Sequence, residues 1–325
     1  MSARICIAWV VVAASLAPAF AQAPLDLQAH RGGRGQWPEN TLTAFEQAIR
    51  LGVTTLELDV SLSLDGVPVV SHDTRLNPAI TRDESGAWLS GEQPAVRSLS
   101  FARLQQYDVG RINPATSYGR QFAWQQGGDR VRIPALAEVL QRAASLDPRV
   151  RFNIETKIDP ARPDESGSPE ALVHAVLTEI ERAGVGARTT VQSFDWRTLA
   201  LVRSRAPGLA RAYLTARRPT FDTLTDGRFT APLSVHDFAS VPLLVRTAAG
   251  DGGTVIWSPN FNDLTAELVR EAHALELQVI PWTVNQAADM ARMIDWGVQG
   301  IITDYPERLR SVMRERGIAL PAGPP

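Results

Sequence analysis

The sequence predicts an α/β protein, a (βα)8 TIM barrel with an insertion after its second strand. Short apolar runs alternate with amphipathic helical patterns, which is typical of a parallel sheet covered by helices. Eight such runs close most simply into a barrel, with an open doubly wound sheet as the alternative. The 325 residues exceed the roughly 250 of a bare barrel, and residues 74–130 lack the alternating pattern, so they form the predicted insertion.

The predicted strands and helices follow one another regularly outside that insertion. The strands cover residues 25–29, 54–60, 150–155, 189–193, 210–214, 254–257, 278–282 and 300–303. The helical patterns cover residues 41–51, 136–144, 170–183, 198–204, 265–275, 287–296 and 306–316, with weaker signals at 100–106 and near 241. We expect Asp304 to anchor the turn before the last helix.

A β-hairpin is predicted directly after the second strand. Asp65-Gly66 lies between two alternating apolar runs, which is a strong hairpin signal. A hairpin cannot join two parallel neighbours. We therefore expect residues 67–71 to form an arm that returns His72 to the end of the second strand.

Residues 1–23 are predicted to be a secretory signal peptide, followed by one barrel domain at 24–325. Arg4 precedes an apolar run at 5–16, Pro18 ends it, and two A-x-A patterns follow around Ala21. A membrane anchor is the alternative, but the run is too short for a comfortable span. We expect export to the periplasm without a stable membrane anchor. Cys6, the single cysteine, lies in this segment, so the mature chain would carry no thiol.

The composition argues against a nucleic-acid-binding protein. Lys and Arg total 33 against 35 Asp and Glu, which leaves no excess of positive charge for a phosphate backbone. Hydrophobic residues at 44% and charged residues at 21% are typical of a globular protein with a large core. The sequence carries no signal of oligomeric state.

Three carboxylates are expected to meet at the carboxyl ends of two neighbouring strands. Glu57 and Asp59 are two residues apart in the second strand, so their side chains point the same way, and Glu155 closes the third strand. Buried carboxylates are costly without a cation, and oxygen ligands favour Mg²⁺ or Ca²⁺ over zinc. The alternative is a metal-free cluster of ion pairs with Arg31 and Lys157.

Two histidines and two cations are expected beside these carboxylates. His30 follows the first strand and His72 follows the hairpin, an arrangement that suits a general acid and a general base. Arg31 and Lys157 add positive charge, which fits a phosphate ester whose oxygens need neutralising in the transition state. Trp282 ends the seventh strand, either as an apolar wall for a small alcohol or as a core residue under a loop.

Eight motifs give the chain, from about residue 27 to 310, a resemblance to the glycerophosphodiester phosphodiesterases of the secreted bacterial type. In order, the motifs are His30-Arg31-Gly32, Pro38-Glu39-Asn40-Thr41, Glu57-Leu58-Asp59-Val60, His72-Asp73, Ile154-Glu155-Thr156-Lys157, Gln192-Ser193-Phe194, Trp282-Thr283-Val284-Asn285 and Thr303-Asp304-Tyr305-Pro306. The resemblance implies a barrel related to phosphatidylinositol-specific phospholipase C. It also implies hydrolysis of glycerophosphodiesters, such as glycerophosphocholine and glycerophosphoethanolamine, to sn-glycerol 3-phosphate and an alcohol.

The resemblance further implies a role for each matched side chain. One divalent cation, Ca²⁺ or Mg²⁺, would bind to three metal ligands, the acid and base would be two histidines, and three further side chains would hold substrate. The metal ligands would be Glu57, Asp59 and Glu155, the acid–base pair His30 and His72, the phosphate-binding residues Arg31 and Lys157, and the lining of the glycerol pocket Trp282.

Two alternative functions and two nucleophiles remain open at this point. The same fold and metal would serve a phospholipase D-like or lysophospholipid-cleaving enzyme. A non-catalytic phosphodiester-binding protein is the third reading, although a binder has no use for two titratable groups beside a metal. The attacking group is either the substrate's own glycerol hydroxyl, which gives a cyclic phosphate, or water.

Overall fold

The centre of the fold is a sheet whose strands are buried on both faces, as expected of parallel strands covered by helices. We describe a computed structural model that covers residues 24–324, so the predicted signal peptide lies outside the described residues. The strands are β1 (Asp26–Ala29), β2 (Thr55–Leu62), β3 (Pro68–Val70), β4 (Arg151–Thr156), β5 (Thr189–Ser193), β6 (Ala210–Thr215), β7 (Arg217–Arg218), β8 (Phe221–Asp222), β9 (Val255–Pro259), β10 (Gln278–Val279) and β11 (Gly300–Thr303).

Eight of these strands form a nearly closed parallel barrel, which confirms the predicted fold class. Their order is β1, β2, β4, β5, β6, β9, β10, and β11 pairs with β1. No regular ladder joins β10 to β11 within the described chain, but Gln299 N–H donates to Val279 O (2.9 Å) and Ile302 N–H to Pro281 O (3.0 Å). The regular part of β10 is shorter than predicted, although Ile280 N–H still donates to Trp257 O (3.1 Å) and Trp282 N–H to Pro259 O (3.1 Å).

Helices cover the outside of the barrel and begin and end within two residues of the predicted bounds. The first has an N-cap in which Thr41 accepts from Ala44 N–H, and it ends at Gly52, whose φ is 83°. The helices between barrel strands are α1 (Leu42–Leu51), α4 (Leu136–Leu146), α6 (Pro169–Arg182), α7 (Trp196–Arg205), α8 (Val241–Ala249), α9 (Ala266–Ala274), α10 (Ala287–Asp295) and α11 (Pro306–Glu315). The shorter helices are α2 (Phe101–Leu104), α3 (Ser117–Gln121) and α5 (Pro163–Ser166).

The predicted hairpin and insertion are both present after the second strand. Strand β3 pairs antiparallel with the end of β2, with Val60 opposite Val70. The N–H of Ser71 then donates to Asp59 O (3.0 Å), which returns His72 to the end of β2 as predicted. The insertion contains α2 and α3 and forms a small apolar cluster of its own, separate from the barrel core.

Within residues 24–324, none of the helices is both long enough and apolar enough to cross a membrane.

Candidate active site

The three predicted carboxylates lie together at the carboxyl ends of β2 and β4. Asp59 and Glu155 are partners in the register of these two strands, and Glu57 precedes Asp59 on the same face. One carboxylate oxygen from each of the three lies within 4.8 Å of the others, and all three side chains are buried. The barrel therefore brings together the acidic residues that the sequence singled out.

Glu57 is held by hydrogen bonds from neutral groups only. Its Oε2 accepts from the backbone N–H of Arg31 (2.8 Å) and its Oε1 accepts from Gln192 Nε2 (2.7 Å). Among residues 24–324, no cationic side chain lies within ion-pair distance of Glu57. Burial, with the negative charges of Asp59 and Glu155, raises the pKa of Glu57 well above its ordinary value.

Asp59 and Glu155 have cations beside them. Lys157 Nζ lies 2.6 Å from Glu155 Oε1 and 3.6 Å from Asp59 Oδ1, and Arg31 Nε lies 3.4 Å from Asp59 Oδ2. Burial alone would raise the pKa of Asp59, but His72, Lys157 and Arg31 hold it well below its ordinary range. Burial raises the pKa of Glu155 to about 7, in spite of the charge of Lys157.

These carboxylates fit a hard divalent cation better than a metal-free cluster of ion pairs. Lys157 contacts Glu155 and Asp59, and Arg31 divides its charge between Asp59 and Glu39, which leaves Glu57 without a cationic partner among the described residues. Asp59 Oδ1 is buried with no hydrogen-bond partner, which is costly unless another ligand contacts it. Three converging carboxylates are the donor set that Ca²⁺ and Mg²⁺ prefer.

His30 is held by a carboxylate at the end of β1. Its Nδ1 lies 2.6 Å from Asp304 Oδ1, and the same oxygen accepts from Arg34 Nε (2.7 Å). The positive charge of Arg34 and the hydrogen bonds from His30 and Arg34 outweigh burial and hold the pKa of Asp304 well below its ordinary range. An ionised carboxylate only accepts hydrogen bonds, so the proton of neutral His30 lies on Nδ1 and its Nε2 is free to accept a proton. Burial, aided by Arg34, lowers the pKa of His30 to about 4.

The role of Asp304 differs from the one predicted, because its side chain positions His30 instead of anchoring a turn. Its Oδ2 accepts from Asn285 Nδ2 (2.7 Å), and the turn before α11 is capped by Thr303 Oγ1, which accepts from Tyr305 N–H (3.1 Å). The sequence could have indicated this role only through the motif that contains Asp304, since His30 is 274 residues away.

His72 is half-buried at the end of the hairpin arm. Its Nδ1 lies 2.8 Å from Asp73 Oδ1, which leaves Nε2 free in the same way. Burial lowers the pKa of His72, and the positive charges of Arg31 and Lys157 lower it further. His72 lines the same cavity as Lys157.

Arg31 adopts a left-handed backbone conformation between His30 and two glycines. Its φ is 52°, which is uncommon for a residue with a side chain, and its guanidinium NH1 donates to Glu39 Oε1 (2.7 Å). Gly32 follows at φ 81°, where an added Cβ would lie 2.8 Å from the Cβ of Ala44. The tight turn is therefore available only with glycine at this position, and it directs the Arg31 N–H towards Glu57.

The insertion contributes a tyrosine that the sequence did not identify. Tyr118, in α3, donates a hydrogen bond to Glu39 and accepts one from Arg34 NH1 (3.1 Å). Glu39 holds Arg31, and Arg34 shares Asp304 with His30. Short helices such as α3 give no periodic signal, so only the structure places Tyr118 here.

Trp282 lies at the mouth of the barrel, in a row of aromatic rings. Its Nε1 donates to Ser258 O (2.9 Å), and its ring forms a T-shaped pair with Phe194 at a centroid distance of 5.4 Å. It lines the cavity that contains His72 and Lys157. Of the two readings from the sequence, this position agrees with a wall of the cavity and not with a fully buried core residue.

The potential cation site lies at the end of a TIM barrel where such enzymes carry out their chemistry. The side chains around it are able to transfer protons and to neutralise phosphate oxygens, and this arrangement is that of a phosphodiesterase. The sequence matches the family model of the glycerophosphoryl diester phosphodiesterase family over residues 30–308, and the chain belongs to this family. It is therefore an enzyme, a phosphoric diester hydrolase of the glycerophosphodiester phosphodiesterase type.

Similar proteins agree with this assignment over most of the chain. A glycerophosphodiester phosphodiesterase of Caldanaerobacter subterraneus is 30% identical over 89% of this chain and 98% of its own length. A crystal structure from Silicibacter pomeroyi, of a protein with the same family name, has a TM-score of 0.81 at 36% identity, covering 91% of this chain and 95% of that one. An Oleispira antarctica phosphodiesterase in complex with sn-glycerol-3-phosphate has a TM-score of 0.65 at 20% identity, covering 90% and 97%, and shows the fold alone.

Proposed function

We propose that the enzyme hydrolyses glycerophosphodiesters such as glycerophosphocholine and glycerophosphoethanolamine to sn-glycerol 3-phosphate and an alcohol, with one divalent cation. The observation that carries this proposal is the pair of histidines, each fixed through Nδ1 by a carboxylate, at the same end of the barrel as the acidic cluster. A protein that only bound phosphodiesters would have no need of two imidazoles whose Nε2 atoms are free to accept and release protons.

Glu57, Asp59 and Glu155 would hold the cation. When bound, it would neutralise charge on the phosphate oxygens as the phosphorus is attacked. Arg31 and Lys157 lie beside Asp59 and would contact the same phosphate oxygens, so that positive charge faces the transition state from several sides.

His30 and His72 would serve as the acid–base pair. One histidine, in its neutral form, takes the proton of the attacking hydroxyl on Nε2 while the new oxygen–phosphorus bond forms. The other starts as the imidazolium and gives the proton on its Nε2 to the leaving alcohol oxygen as the old phosphorus–oxygen bond breaks. The Nδ1 hydrogen bonds to Asp304 and Asp73 stabilise the imidazolium that each histidine forms in turn. The same chemistry serves water or the glycerol hydroxyl as nucleophile.

The experiment is an assay of the purified chain from residue 24 with glycerophosphocholine. Release of sn-glycerol 3-phosphate is followed with a coupled dehydrogenase before EDTA, after EDTA, and after Ca²⁺ or Mg²⁺ is restored. Loss with EDTA and recovery with a cation supports the proposal and names the ion. Undiminished release after EDTA would contradict the metal role, and no release from any glycerophosphodiester would contradict the substrate.

We further propose that residues 1–23 direct export to the periplasm and are removed there. The sequence pattern is the support for this proposal. Fractionation of cells that make the full chain, with N-terminal sequencing of the product, tests it. A protein retained in the cytoplasm with its N-terminus intact would contradict it.

A further inference from the structure

A cavity continues outwards from the proposed reaction centre, beyond the space that a glycerophosphate needs. It begins at His72, Glu155 and Lys157 and extends to the loops that follow β5 and β6, with a volume of about 620 Å³. Pockets that hold a whole small ligand measure roughly 300–1,000 Å³. The outer part therefore has room for the alcohol on the far side of the phosphodiester.

Four aromatic side chains line this outer part in one connected row. Phe194 pairs with Trp282 at 5.4 Å and with Phe221 at 5.1 Å, and Phe221 approaches Phe229 at 6.4 Å, all in T-shaped geometry. Trp282 follows a barrel strand, so it remains available to a glycerol group near the phosphate. Phe221 and Phe229 belong to the loop region after β6, and Phe221 is 41% exposed.

An exposed aromatic wall beside a reaction centre suggests a ligand that binds favourably to the faces of aromatic rings. Ring faces carry partial negative charge and attract cations, quaternary ammonium groups above all. Phe221 is one of only a few large apolar side chains that residues 24–324 leave exposed. The aromatic row alone fits an apolar chain as well as a cation, so the surrounding charges must decide.

Most charged groups at this end of the cavity are paired with each other. Asp159 Oδ2 accepts from Arg162 Nε at 2.9 Å, and Asp226 Oδ2 lies 2.7 Å from Arg228 Nε. Each of these pairs is neutral as a unit. The two arginines are therefore not free positive charges that would attract an anionic head group.

Asp222 differs from Asp159 and Asp226 because it forms no ion pair with any described residue. It follows Phe221 in β8, and among residues 24–324 no cationic side chain lies within ion-pair distance of it. Hydrogen bonds from Thr225, through Oγ1 (2.7 Å) and the backbone N–H (2.9 Å), more than offset the effect of burial and hold the pKa of Asp222 below its ordinary value, and the charge of Arg217, opposite Asp222 in β7, lowers it further. The outer cavity thus combines an aromatic wall with an ionised carboxylate that no cationic side chain of the described residues contacts directly.

We propose that the outer cavity is a binding site for a cationic alcohol head group, of the quaternary ammonium class, with Phe221 and Phe229 against the cation and Asp222 balancing its charge. This inference rests on the proposed function and specifies which glycerophosphodiesters the enzyme prefers. An anionic head group would meet the charge of Asp222, and an acyl chain would bury that charge without a partner, which is costly.

The test compares two substrates that differ in head-group charge. We would measure kcat/KM for glycerophosphocholine and for the neutral glycerophosphoglycerol in the wild type and in Phe221→Ala, Phe221→Leu and Asp222→Asn. Each variant is expected to lower the ratio of kcat/KM for glycerophosphocholine to kcat/KM for glycerophosphoglycerol, by about tenfold for the Phe221 variants. Hydrolysis of glycerophosphoglycerol is expected to persist. Phe221→Leu keeps an apolar side chain but removes the ring, so a ratio that survives this change would overturn the cation site.

The matched control is Trp124→Ala, because Trp124 is an aromatic residue 92% exposed in the insertion and does not line the cavity. Its ratio is expected to equal that of the wild type. A wild type that prefers neither substrate, or variants that change neither ratio, would overturn the inference and leave the proposed function standing.

Failure of the proposed function gives a different result. If the wild type hydrolyses neither substrate, the binding of free choline is measured by calorimetry with the same variants. Binding that Phe221→Leu weakens by about tenfold supports the cation site independently of turnover. Absence of choline binding at millimolar concentration overturns it.

Discussion

The hydroxyl of Tyr118, in the insertion, donates a hydrogen bond to the carboxylate of Glu39, 79 residues earlier in the chain. Glu39 holds the guanidinium of Arg31. The same hydroxyl accepts a hydrogen bond from Arg34 NH1, and Arg34 Nε donates one to Asp304. The Tyr118 hydroxyl therefore links two sets of contacts. One set positions Arg31, a proposed phosphate-binding residue, and the other positions His30, a proposed catalytic histidine.

Replacing Tyr118 with phenylalanine is expected to lower kcat by about tenfold. Phenylalanine retains the T-shaped contact with Phe122 but leaves Glu39 and Arg34 without their shared partner. Because a hydrogen bond to a charged group is worth about 1.5–3 kcal/mol, we also expect the free energy of unfolding to fall by up to that amount. Steady-state kinetics and urea unfolding measure the two effects separately.

Tyr107→Phe is the control for this substitution. Tyr107 also lies in the insertion and packs in its apolar cluster, away from the groups that hold Arg31. Its kcat is expected to match the wild type. If Tyr118→Phe keeps full kcat, the insertion does not position the site through this hydroxyl.

Removing either proposed catalytic histidine is expected to abolish most turnover and to leave the fold intact. General acid and base groups typically contribute 10²–10⁴-fold, so His30→Ala and His72→Ala should each retain less than about 1% of the wild-type kcat. Thermal unfolding monitored by circular dichroism checks that the variants are folded. His174→Ala, at an exposed position of α6, is the control with full activity, and more than about 1% activity in either variant would contradict the acid–base pair.

Removal of the cation is expected to make stability depend on the charge of Glu155. Burial raises the pKa of Glu155 to about 7, from an ordinary value of 4.5. In this range the folded protein holds a proton that the unfolded chain has released. The stabilisation that follows is complete below about pH 4 and is lost as the pH rises through 7.

The measurement is the difference in free energy of unfolding between the wild type and Glu155→Gln, in EDTA, from pH 5 to pH 8. The difference is needed because the lowered pKa of His30 changes stability in the opposite direction between pH 4 and 6.5 in both proteins. We expect the free energy of unfolding of Glu155→Gln to increase relative to that of the wild type as the pH rises. With a saturating divalent cation the order should reverse at pH 8, and a difference independent of pH in EDTA would rule out the raised pKa.

The barrel and the acidic cluster were predictable because both depend on local patterns that repeat along the chain. Short apolar runs between helical patterns identified every barrel strand, and the two-residue period placed Glu57 and Asp59 on one face. The hairpin at Asp65-Gly66 was equally local, and it returned His72 as predicted. The regular part of β10 ends at Val279, before the predicted end, although Ile280 and Trp282 still donate hydrogen bonds to β9.

The groups that hold the site were not predictable, because they are contacts between residues far apart in sequence. Glu39, Asn40 and Gln192 were recognisable as members of motifs, but their roles depend on which partner the fold brings to them. The ribbon of β7 and β8, which carries Phe221, is too short to produce a periodic signal. The proposed role of its residues follows from the cavity beside them and not from the sequence pattern.

Replacing Asp304 with asparagine is expected to lower kcat by at least about 100-fold with a smaller effect on KM. The ionised carboxylate accepts from Nδ1 of His30 and so keeps Nε2 unprotonated. An amide that turns its NH₂ towards His30 would favour the other tautomer, in which Nε2 carries the proton and cannot accept one. Loss of a catalytic tautomer in this way costs several orders of magnitude in hydrolases with a carboxylate-held histidine.

Two further measurements separate this tautomer effect from a general weakening of the structure. The amide also leaves Arg34 without a negative partner, so we expect a drop in thermal stability, while the folded fraction at 25 °C stays high enough for kinetics. Nitrogen NMR of labelled histidine should show the proton of His30 on Nδ1 in the wild type and on Nε2 in the variant. Asp295→Asn, at an exposed position that pairs with Arg316, is the control, and a variant of Asp304 with wild-type kcat would show that the carboxylate does not set the tautomer.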